Sequence, residues 1–405
     1  MKKTVYITAF GLLGGMLSAQ NLTDGLRYSM EDIGGTARFR AMSGAFNSLG
    51  GDMSAIALNP AGSSIFTRSE MTLSLQGTNA KNEVGKEATL SSDFLLNQFG
   101  VAFPIAIAEE GWKNVAFAFN YQKANNFEVN DLTYNQQTNG ANLGDYFLHF
   151  ANGIRQENLF LNDYEYNQRA HRWIARSQGG LGSLYSRMGN APDPFRYRNA
   201  ILGYTAGLIA PSGVASEIEE TATEEAGKAI LEANQYKKNI TSGTTTLRKI
   251  EQYSEGGVNK YNFNFAARYD FLSFGLNLNS HSVDYRMVTR HYEQYPDNTE
   301  SSIRSAYFQN ELRTVGSGFS LQLGAIAEVA TGVRIGLTYT SPTWYTLQDE
   351  LSQSLSATTL SNGTYFANPN IVAVYEKYSF RTPGAWTVGA SWVWNKQLIL
   401  SADYM

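Results

Sequence analysis

Apolar and polar residues alternate one by one along several stretches of this chain, and this period of two constrains the fold more than any other feature. Phe263 and Phe265, for example, alternate with Asn262 and Asn264. Successive side chains of a β-strand point to opposite faces, so the pattern predicts strands with one apolar and one polar face. Nine such strands are predicted, at 71–79, 94–105, 114–124, 261–269, 274–279, 319–328, 333–340, 386–394 and 398–404.

The connections between the predicted strands alternate between short and long. The short ones are 106–113, 271–272, 330–332 and 395–397, and the long ones are 80–93, 125–259, 286–313 and 343–378. Outer-membrane β-barrels have short turns at one end and long loops at the other. A soluble sandwich has one dry face between its sheets, whereas the second face here carries Asn, Gln, Thr, Arg and Glu. We therefore predict an all-β fold, a transmembrane antiparallel β-barrel over residues 71–405 with a large extracellular loop at about 125–259.

The first residues predict the compartment. Lys2 and Lys3 precede an apolar run from Val5 to Leu17, which ends in small residues. This is the pattern of a secretory signal peptide, which we place at residues 1–20. The run is shorter than the roughly 20 apolar residues that a transmembrane helix needs. Export followed by insertion of strands predicts the outer membrane of a Gram-negative bacterium.

Composition excludes several classes of protein. With no cysteine in 405 residues, the chain has no disulfide scaffold and no thiolate metal site. Charged residues make up 17%, below the roughly 25% of ordinary soluble domains, while aromatic residues are abundant. The formal net charge of -4 and the lack of a basic patch argue against a nucleic-acid partner.

Residues 21–70 lack the alternation of the strands and are predicted to form a helical plug inside the barrel. Phe39, Met42, Phe46 and Leu49 are spaced as on one helix face. Asp52 is placed to cap a second short helix that runs through residue 57. Pro60 disfavours a helical Asn59, so the chain is expected to turn there.

Two segments resemble the FadL/TodX family of outer-membrane transporters for long-chain fatty acids and other hydrophobic compounds. The first runs from Gly51 to Gly62 and contains Asn59-Pro60-Ala61-Gly62, which is similar to the hatch signature of that family. The second runs from Arg381 to Trp392, and Leu400 to Tyr404 is also similar. The resemblance implies a barrel of 14 strands. Nine strands are visible, and the count is odd, so further strands are expected beyond Met405.

The resemblance also implies a function. The barrel would be a passive channel for the uptake of long-chain fatty acids or other hydrophobic molecules, and Asn59, Pro60, Ala61 and Gly62 would belong to the gate. Its surroundings would be outer-membrane lipid and lipopolysaccharide, and it would need no cofactor, metal or catalytic residue. The family has a lateral exit at a kink in the third strand. The corresponding stretch here, 115–121, contains neither Gly nor Pro, so the exit is in doubt.

Within this interpretation, Phe39, Met42, Phe46 and Leu49 are candidate ligand contacts. Arg268 is a candidate partner for a carboxylate head group. Glu328 and Arg334 are expected to pair across the turn at 330–332, which leaves Arg268 without an obvious partner. In the long loop, a set of apolar residues predicts either a surface that captures hydrophobic substrate or a core that packs the loop against itself; these are Phe147, Phe150, Leu159, Phe160, Leu161, Trp173 and Ile174.

Two alternatives belong to other classes. Enzymatic activity is not indicated, because the four histidines show no His-Glu-x-x-His spacing and no Gly-x-Ser-x-Gly motif is present. FadL-like barrels also include protein-interaction barrels of the PorV type, secretion shuttles whose extracellular loops bind exported proteins.

Within the long loop at about 125–259, Ser216 and Glu219 form a capping box that predicts the start of a helix.

Overall fold

Long antiparallel hairpins dominate the computed structural model of this chain, which describes residues 22–405 except 85–86, 299–302, 360–362 and 396. The predicted signal peptide, residues 1–20, lies outside the described residues. Eighteen strands are assigned in this part of the chain; they are β1 (Glu70–Val84), β2 (Glu87–Ala106), β3 (Trp112–Asn126), β4 (Val129–Thr138), β5 (Asn162–Asn167), β6 (Arg172–Ser177), β7 (Ile209–Pro211), β8 (Tyr236–Lys238), β9 (Thr246–Tyr269), β10 (Leu272–Gln294), β11 (Ile303–Ala330), β12 (Val333–Thr340), β13 (Trp344–Thr359), β14 (Thr364–Ala367), β15 (Val372–Val374), β16 (Tyr378–Arg381), β17 (Ala385–Trp394) and β18 (Leu398–Tyr404).

Fourteen of these strands form one large antiparallel sheet. Its main order is β1-β2-β3-β9-β10-β11-β12-β17-β18, so strands that are neighbours in the sheet are joined by hairpins or by loops. The other five extend strands of this order. β4 follows β3 in the chain and also pairs with β9, and β13 follows β12 and also pairs with β11. The short strands β14, β15 and β16 precede β17 in the chain and pair with β13. The chain therefore crosses the sheet nine times, and each crossing corresponds to one of the nine predicted strands. Among the described residues, β1 pairs only with β2 and β18 only with β17.

The predicted short turns are confirmed, but at the end of the sheet that carries the long loops the strands are longer than predicted. β4 reaches Thr138 and β9 begins at Thr246, so the predicted loop at 125–259 is too long and the connection is residues 139–245. The reason is visible on β10, whose apolar face changes to Ser280, Ser282 and Asp284 after Leu278. Beyond that point the polarity of the two faces is inverted, because Val283 and Tyr285 are buried on the opposite face, and the pattern that marked the strand no longer continues.

The faces of the sheet have opposite polarities, as the alternation predicts, and their burial is the reverse of that in a soluble protein. Phe263 and Phe265 are 48% and 46% exposed, whereas Asn262 and Asn264, which alternate with them, are fully buried or nearly so. We call these the apolar face and the polar face. Amide, hydroxyl and imidazole side chains of the polar face are buried because the N-terminal part of the chain covers them.

This N-terminal segment, residues 22–69, contains α1 (Leu22–Ser29), α2 (Ala37–Ala41) and two 3-10 helices, Ser54–Ala57 and Pro60–Ile65. The predicted helix through Leu49 is wrong, because the chain leaves the helical conformation at Ser43 and Gly44, whose φ angles are 54° and 75°. The Asp52 carboxylate accepts the Ser54 amide N–H at 2.9 Å, but Met53 occupies the N-cap position of the 3-10 helix and no side chain caps it, so the predicted capping role of Asp52 is wrong. No helix of the described chain is long and apolar enough to cross a membrane.

Residues 139–245, which we call the loop unit, pack around two hydrophobic clusters, one within the unit and one shared with the sheet. The unit contains the hairpins β5-β6 and β7-β8 and four α-helices, α3 (Leu143–Ala151), α4 (Gly180–Arg187), α5 (Pro194–Thr205) and α6 (Glu224–Glu232). Helix α6 begins after Thr223, whose side chain accepts the Ala226 N–H at 3.2 Å. The predicted capping box at Ser216 and Glu219 is therefore wrong, because those residues precede the helix without belonging to it.

Candidate functional site

A row of amide and hydroxyl side chains crosses five neighbouring strands on the polar face. Gln98 donates to Asn120 (2.9 Å), Asn120 to Asn262 (3.1 Å), Asn262 to Asn279 (2.7 Å), and Asn279 to the Ser320 hydroxyl (3.2 Å). All five side chains are buried. Because a buried amide without a partner costs free energy, this chain of bonds stabilises the strands in their observed register.

A second group of amides on the same face holds the backbone of the N-terminal segment. The contacts run from Asn264 to the Pro60 carbonyl (2.9 Å), from Asn277 to the Ile56 carbonyl (2.7 Å) and from Gln322 to the Ala57 carbonyl (3.1 Å). A side-chain amide has two N–H groups. Asn264 and Asn277 each also donate to the amide oxygen of a neighbouring strand, at 2.7 and 3.1 Å. The same side chains therefore tie the strands together and bind the segment.

Glycines of the polar face give the segment room to approach the sheet. Gly275 pairs with Gly324, and Gly336 pairs with Gly389, on four strands in a row. A Cβ atom at Gly324 would lie 2.0 Å from Asn59 Oδ1, and one at Gly275 would lie 2.4 Å from the Pro60 carbonyl carbon. Such distances are far below van der Waals contact, so only glycine permits this close approach.

The Asn59 side chain makes hydrogen bonds to three backbone groups at this contact. Its side-chain oxygen accepts the Ala61 N–H at 3.0 Å, which caps the 3-10 helix that starts at Pro60. Its amide nitrogen donates to the carbonyls of Asn47 (2.6 Å) and Ala325 (3.2 Å). The predicted turn before Pro60 is confirmed, since Asn59 is extended with φ −133° and ψ 110°. Asn59 through Gly62 are fully buried or nearly so.

Three of the four predicted ligand contacts line one cavity. Phe39, Phe46 and Leu49 are buried together, and the ring centroids of the two phenylalanines are 5.4 Å apart. Met42, Phe46 and Leu49 line a cavity of about 390 Å³ near the short turns, whereas Phe39 packs behind them. The cavity is also lined by the guanidinium-bearing Arg38, Arg68 and Arg334.

Arg268 has a partner, contrary to the prediction that it lacks one. Its Nη2 lies 3.1 Å from the Glu328 carboxylate, whereas Arg334 Nε lies 4.0 Å from the same carboxylate. Glu328 and Arg334 do face each other across the turn, as predicted. However, Arg334 also donates to the Leu49 carbonyl at 2.9 Å, so its guanidinium is partly drawn to the N-terminal segment. The charge of Arg268, at the end of the sheet that carries the short turns, is therefore balanced by the Glu328 carboxylate.

An ion pair connects the N-terminal segment to the sheet, and no sequence pattern pointed to it. Lys260 Nζ lies 3.1 and 3.2 Å from the two carboxylate oxygens of Glu31. Lys260 is only 3% exposed and stands between Gln122 and His281 on neighbouring strands. Desolvation raises the pKa of Glu31, but attraction to Lys260 and His281 lowers it more, so the pKa lies below its ordinary value. Because 56% of the Glu31 side chain stays accessible, water moderates the desolvation and the ion pair sets the direction.

The third strand shows no interruption at the place where a lateral exit was considered. Residues 115–121 of β3 pair continuously with β2 on one side and with β9 on the other. The register of β3 against β9 shifts only near its ends, between Trp112 and Asn114 and between Lys123 and Asn125.

Most of the candidate capture surface lies inside the loop unit. Five of its seven residues are buried, so they support the second interpretation, a core that packs the loop against itself; they are Phe147, Phe150, Leu159, Phe160 and Trp173. Only Leu161 and Ile174 retain substantial exposure. Phe147 packs edge-on against Phe308 of β11 with ring centroids 5.3 Å apart, which anchors the loop unit to the sheet. A buried aromatic side chain presents no surface to a ligand.

Tyrosine and tryptophan side chains lie at both ends of the apolar face, and phenylalanines such as Phe263 and Phe265 lie between them. At the turn end, Trp112 packs against Tyr269 with ring centroids 5.3 Å apart. Toward the loop end, Tyr121 packs against Tyr261 at 5.4 Å. Tyr261 and Tyr269 are eight positions apart, which is about 26 Å along the strand and about 20 Å in height at the tilt usual in barrels. Past Tyr121 and Tyr261, toward the loop end, the same face carries ion pairs, such as Arg313–Asp284 at 3.2 Å.

Comparison with known families, with curated proteins and with solved structures finds no match to this chain. The resemblance to FadL-like transporters therefore rests on the quoted motifs alone. In the described part of the chain, no group of three or more His, Asp or Glu side chains is arranged to hold a metal ion.

Proposed function

We propose that this chain is an outer-membrane channel for the passive uptake of long-chain fatty acids or other hydrophobic molecules, and that its N-terminal segment is the gate. The observation that carries the proposal is the reversed polarity of the sheet. Its apolar face is exposed between two zones of tyrosine and tryptophan side chains, and its polar face is covered by residues 22–69. An apolar band bordered by aromatic girdles is typical of membrane-embedded β-barrels.

Physical chemistry explains why such a molecule needs a gate and an apolar route. Burying one CH₂ group is worth about 0.8 kcal/mol, so a chain of about 16 carbons resists entering water by roughly 12 kcal/mol. A water-filled pore gives such a solute no help. The cavity beside Met42, Phe46 and Leu49 offers apolar walls, and its lining has three guanidinium groups beside the Glu70 carboxylate, an excess of positive charge that suits an anionic amphiphile.

The contact between the gate and the sheet supports a movable element. It combines hydrogen bonds to backbone carbonyls and close glycine contacts with small apolar clusters, in which Tyr28, Met53 and Ile56 pack against the sheet. Each such hydrogen bond contributes only about 0.5–1.5 kcal/mol net, because water competes for the same groups. A ligand that binds the released state better would shift the equilibrium toward it.

One observation favours a second candidate, a protein-interaction barrel of the PorV type. The loop unit has a small core of its own around Phe160 and Trp173, and Phe147 packs against β11. A folded unit at the loop end offers a rigid surface for a protein, and the burial of the candidate capture residues removes one argument for substrate uptake at that place. In this alternative the polar face and the gate serve only as structural support.

Native mass spectrometry of the protein, extracted from its outer membrane in mild detergent, distinguishes the two. The channel predicts a bound apolar molecule, which is lost when Asn59 and Pro60 are replaced by alanine. Gly77→Ala, at a site where an added Cβ meets open space, is the matched control and should retain the molecule. A stoichiometric protein partner on a barrel without a bound apolar molecule would contradict the channel and support the shuttle.

A further inference from the structure

Lys260 is a buried cation that depends on the N-terminal segment for its countercharge. Its side chain is 3% exposed, and the carboxylate within ion-pair distance of it in the described chain belongs to Glu31. Its neighbours across the strands, Gln122 and His281, bring no negative charge. A buried ammonium without a carboxylate is costly, so this position favours the presence of a carboxylate.

Glu31 is the exposed partner of this pair. More than half of its side chain is accessible, whereas Lys260 is enclosed by the sheet. The Glu31 side of the pair is therefore accessible, and another carboxylate can take the place of Glu31 without a change in the strands. The two oxygens of any carboxylate can take the same distances to Nζ, 3.1 and 3.2 Å, that Glu31 now shows.

Apolar surface lies next to this carboxylate in the segment. Leu26, Met30 and Ile33 are all exposed, whereas Tyr28 on the same helix is buried against the sheet. A charged anchor beside uncovered apolar side chains suits a ligand that has a carboxylate head and an apolar tail.

We propose that Lys260 is an exchangeable carboxylate site, in which the head group of an anionic amphiphile replaces Glu31 and thereby releases the N-terminal segment from the sheet. This inference rests on the proposed function and adds a chemical preference to it. Glu31 acts as an internal competitor: it satisfies Lys260 in the resting state and yields to a ligand that brings its own carboxylate. Binding of the ligand and release of the segment are then coupled through one cation.

The coupling makes an unusual prediction for Glu31→Gln. Loss of the internal competitor should raise the affinity for palmitate by about tenfold, within the usual range of coupling between two sites. The affinity for hexadecanol, which has the same tail and no charge, should not change. Lys260→Gln should lower the affinity for palmitate to that for hexadecanol. Glu109→Gln removes a carboxylate from an exposed turn and is the control for net charge.

Titration of the detergent-solubilised full chain with both ligands, followed by tryptophan fluorescence or calorimetry, tests the proposal. An unchanged palmitate affinity in Glu31→Gln would overturn it. An equal gain for palmitate and hexadecanol would also overturn it, because Glu31 would then only hold the segment in place. If the wild-type protein binds neither ligand, the proposed channel function fails, and that result is distinct from wild-type binding that the substitutions leave unchanged.

Discussion

At the scale of single residues, the contact between the N-terminal segment and the sheet depends on four glycines of the polar face. Gly275, Gly324, Gly336 and Gly389 occupy polar-face positions where the alternation would otherwise place an amide or a hydroxyl group. The backbone of the segment lies in the space they leave. Glycine in a strand usually weakens it, and a close approach of another backbone is one reason to accept that cost.

The first prediction concerns one of these glycines. Gly324→Ala places a methyl group 2.0 Å from Asn59 Oδ1, so the segment must move away from the sheet. We expect the contact to lose about 1–3 kcal/mol, the usual cost of overpacking. Hydrogen exchange of residues 54–64 measures the change. Gly77→Ala, which meets open space, should leave the exchange rates unaltered, and equal protection in the two variants would contradict the close contact.

The second prediction concerns pH and the Glu31–Lys260 pair. The pKa of Glu31 is lowered in the folded chain, chiefly through Lys260 and then His281 against the opposing desolvation. A group with a lowered pKa stabilises the folded contact above its ordinary pKa, and that contribution is lost as pH falls through the lowered value. The segment should therefore loosen only in acid, below the ordinary Glu pKa of about 4.3.

A fluorophore on Met30→Cys reports this loosening, because the chain has no other cysteine. Its anisotropy should fall as the pH drops through the acidic range. His281 and Tyr345 also face this region, so the change needs assignment to one group. Glu31→Gln supplies that assignment: the variant should lack the acidic step, and persistence of the step in the variant would transfer it to another group.

At the scale of elements, the loop unit behaves as a small domain attached to the long strands. Its core includes Phe147, Leu184 and Ile201, and the same cluster takes in Phe308 and Leu355 from the sheet. The unit thus shares its hydrophobic core with the extended ends of β11 and β13. These strand ends lie beyond the apolar band, where the sheet no longer needs to present an apolar face.

The third prediction tests this shared core. Phe147→Ala removes a fully buried ring and should destabilise the loop unit by about 3–5 kcal/mol. Limited proteolysis should then cut within residues 139–245 at much lower protease concentrations, while the hairpins of the sheet stay intact. Leu161→Ala, at a half-exposed position of the same unit, is the matched control. Equal resistance of the two variants would show that Phe147 does not anchor the unit.

At the scale of the whole molecule, exposure of one apolar face and burial of one polar face determine the surroundings in which the sheet is stable. A band about 20 Å high matches the apolar belt of a barrel in an outer membrane, which is about 25 Å tall. β11 has 28 residues, whereas a transmembrane strand needs about 9–11. The remaining length projects past the band and carries the ion pairs and the loop unit.

The fourth prediction addresses the membrane directly. Leu323 is exposed near the middle of the apolar band, so Leu323→Arg should destabilise the protein in a bilayer by about 2–4 kcal/mol. Ser317→Arg is the control, since Ser317 lies on the same face of the same strand, closer to the ion pairs. Assembly into liposomes, followed by the mobility shift of unheated protein on gels, compares them. Equal assembly would argue that this face does not contact lipid.

Sequence alone determined the nine successive positions of the chain in the large sheet, because the period-two pattern of apolar and polar residues depends only on strand geometry. It also determined the short turns and the break at Pro60, since a proline restricts the residue before it. It failed at the outer strand ends, where charged residues such as Asp284 and Arg286 replace the apolar row and apolar residues such as Val283 occupy the opposite face. It also failed at α2, where Ser43 and Gly44 end a helix that apolar spacing extended to Leu49.

Only the tertiary structure decided which residues meet across the site. The partner of Arg268, the pairing of Lys260 with Glu31 and the burial of Phe147 all join positions that are far apart along the chain. Nothing local distinguishes a lysine that faces a carboxylate from one that faces water, and an apolar residue in a loop is equally suited to a surface or a core. Sequence periodicity reports the direction of a side chain, whereas the folded chain alone determines what that side chain encounters there.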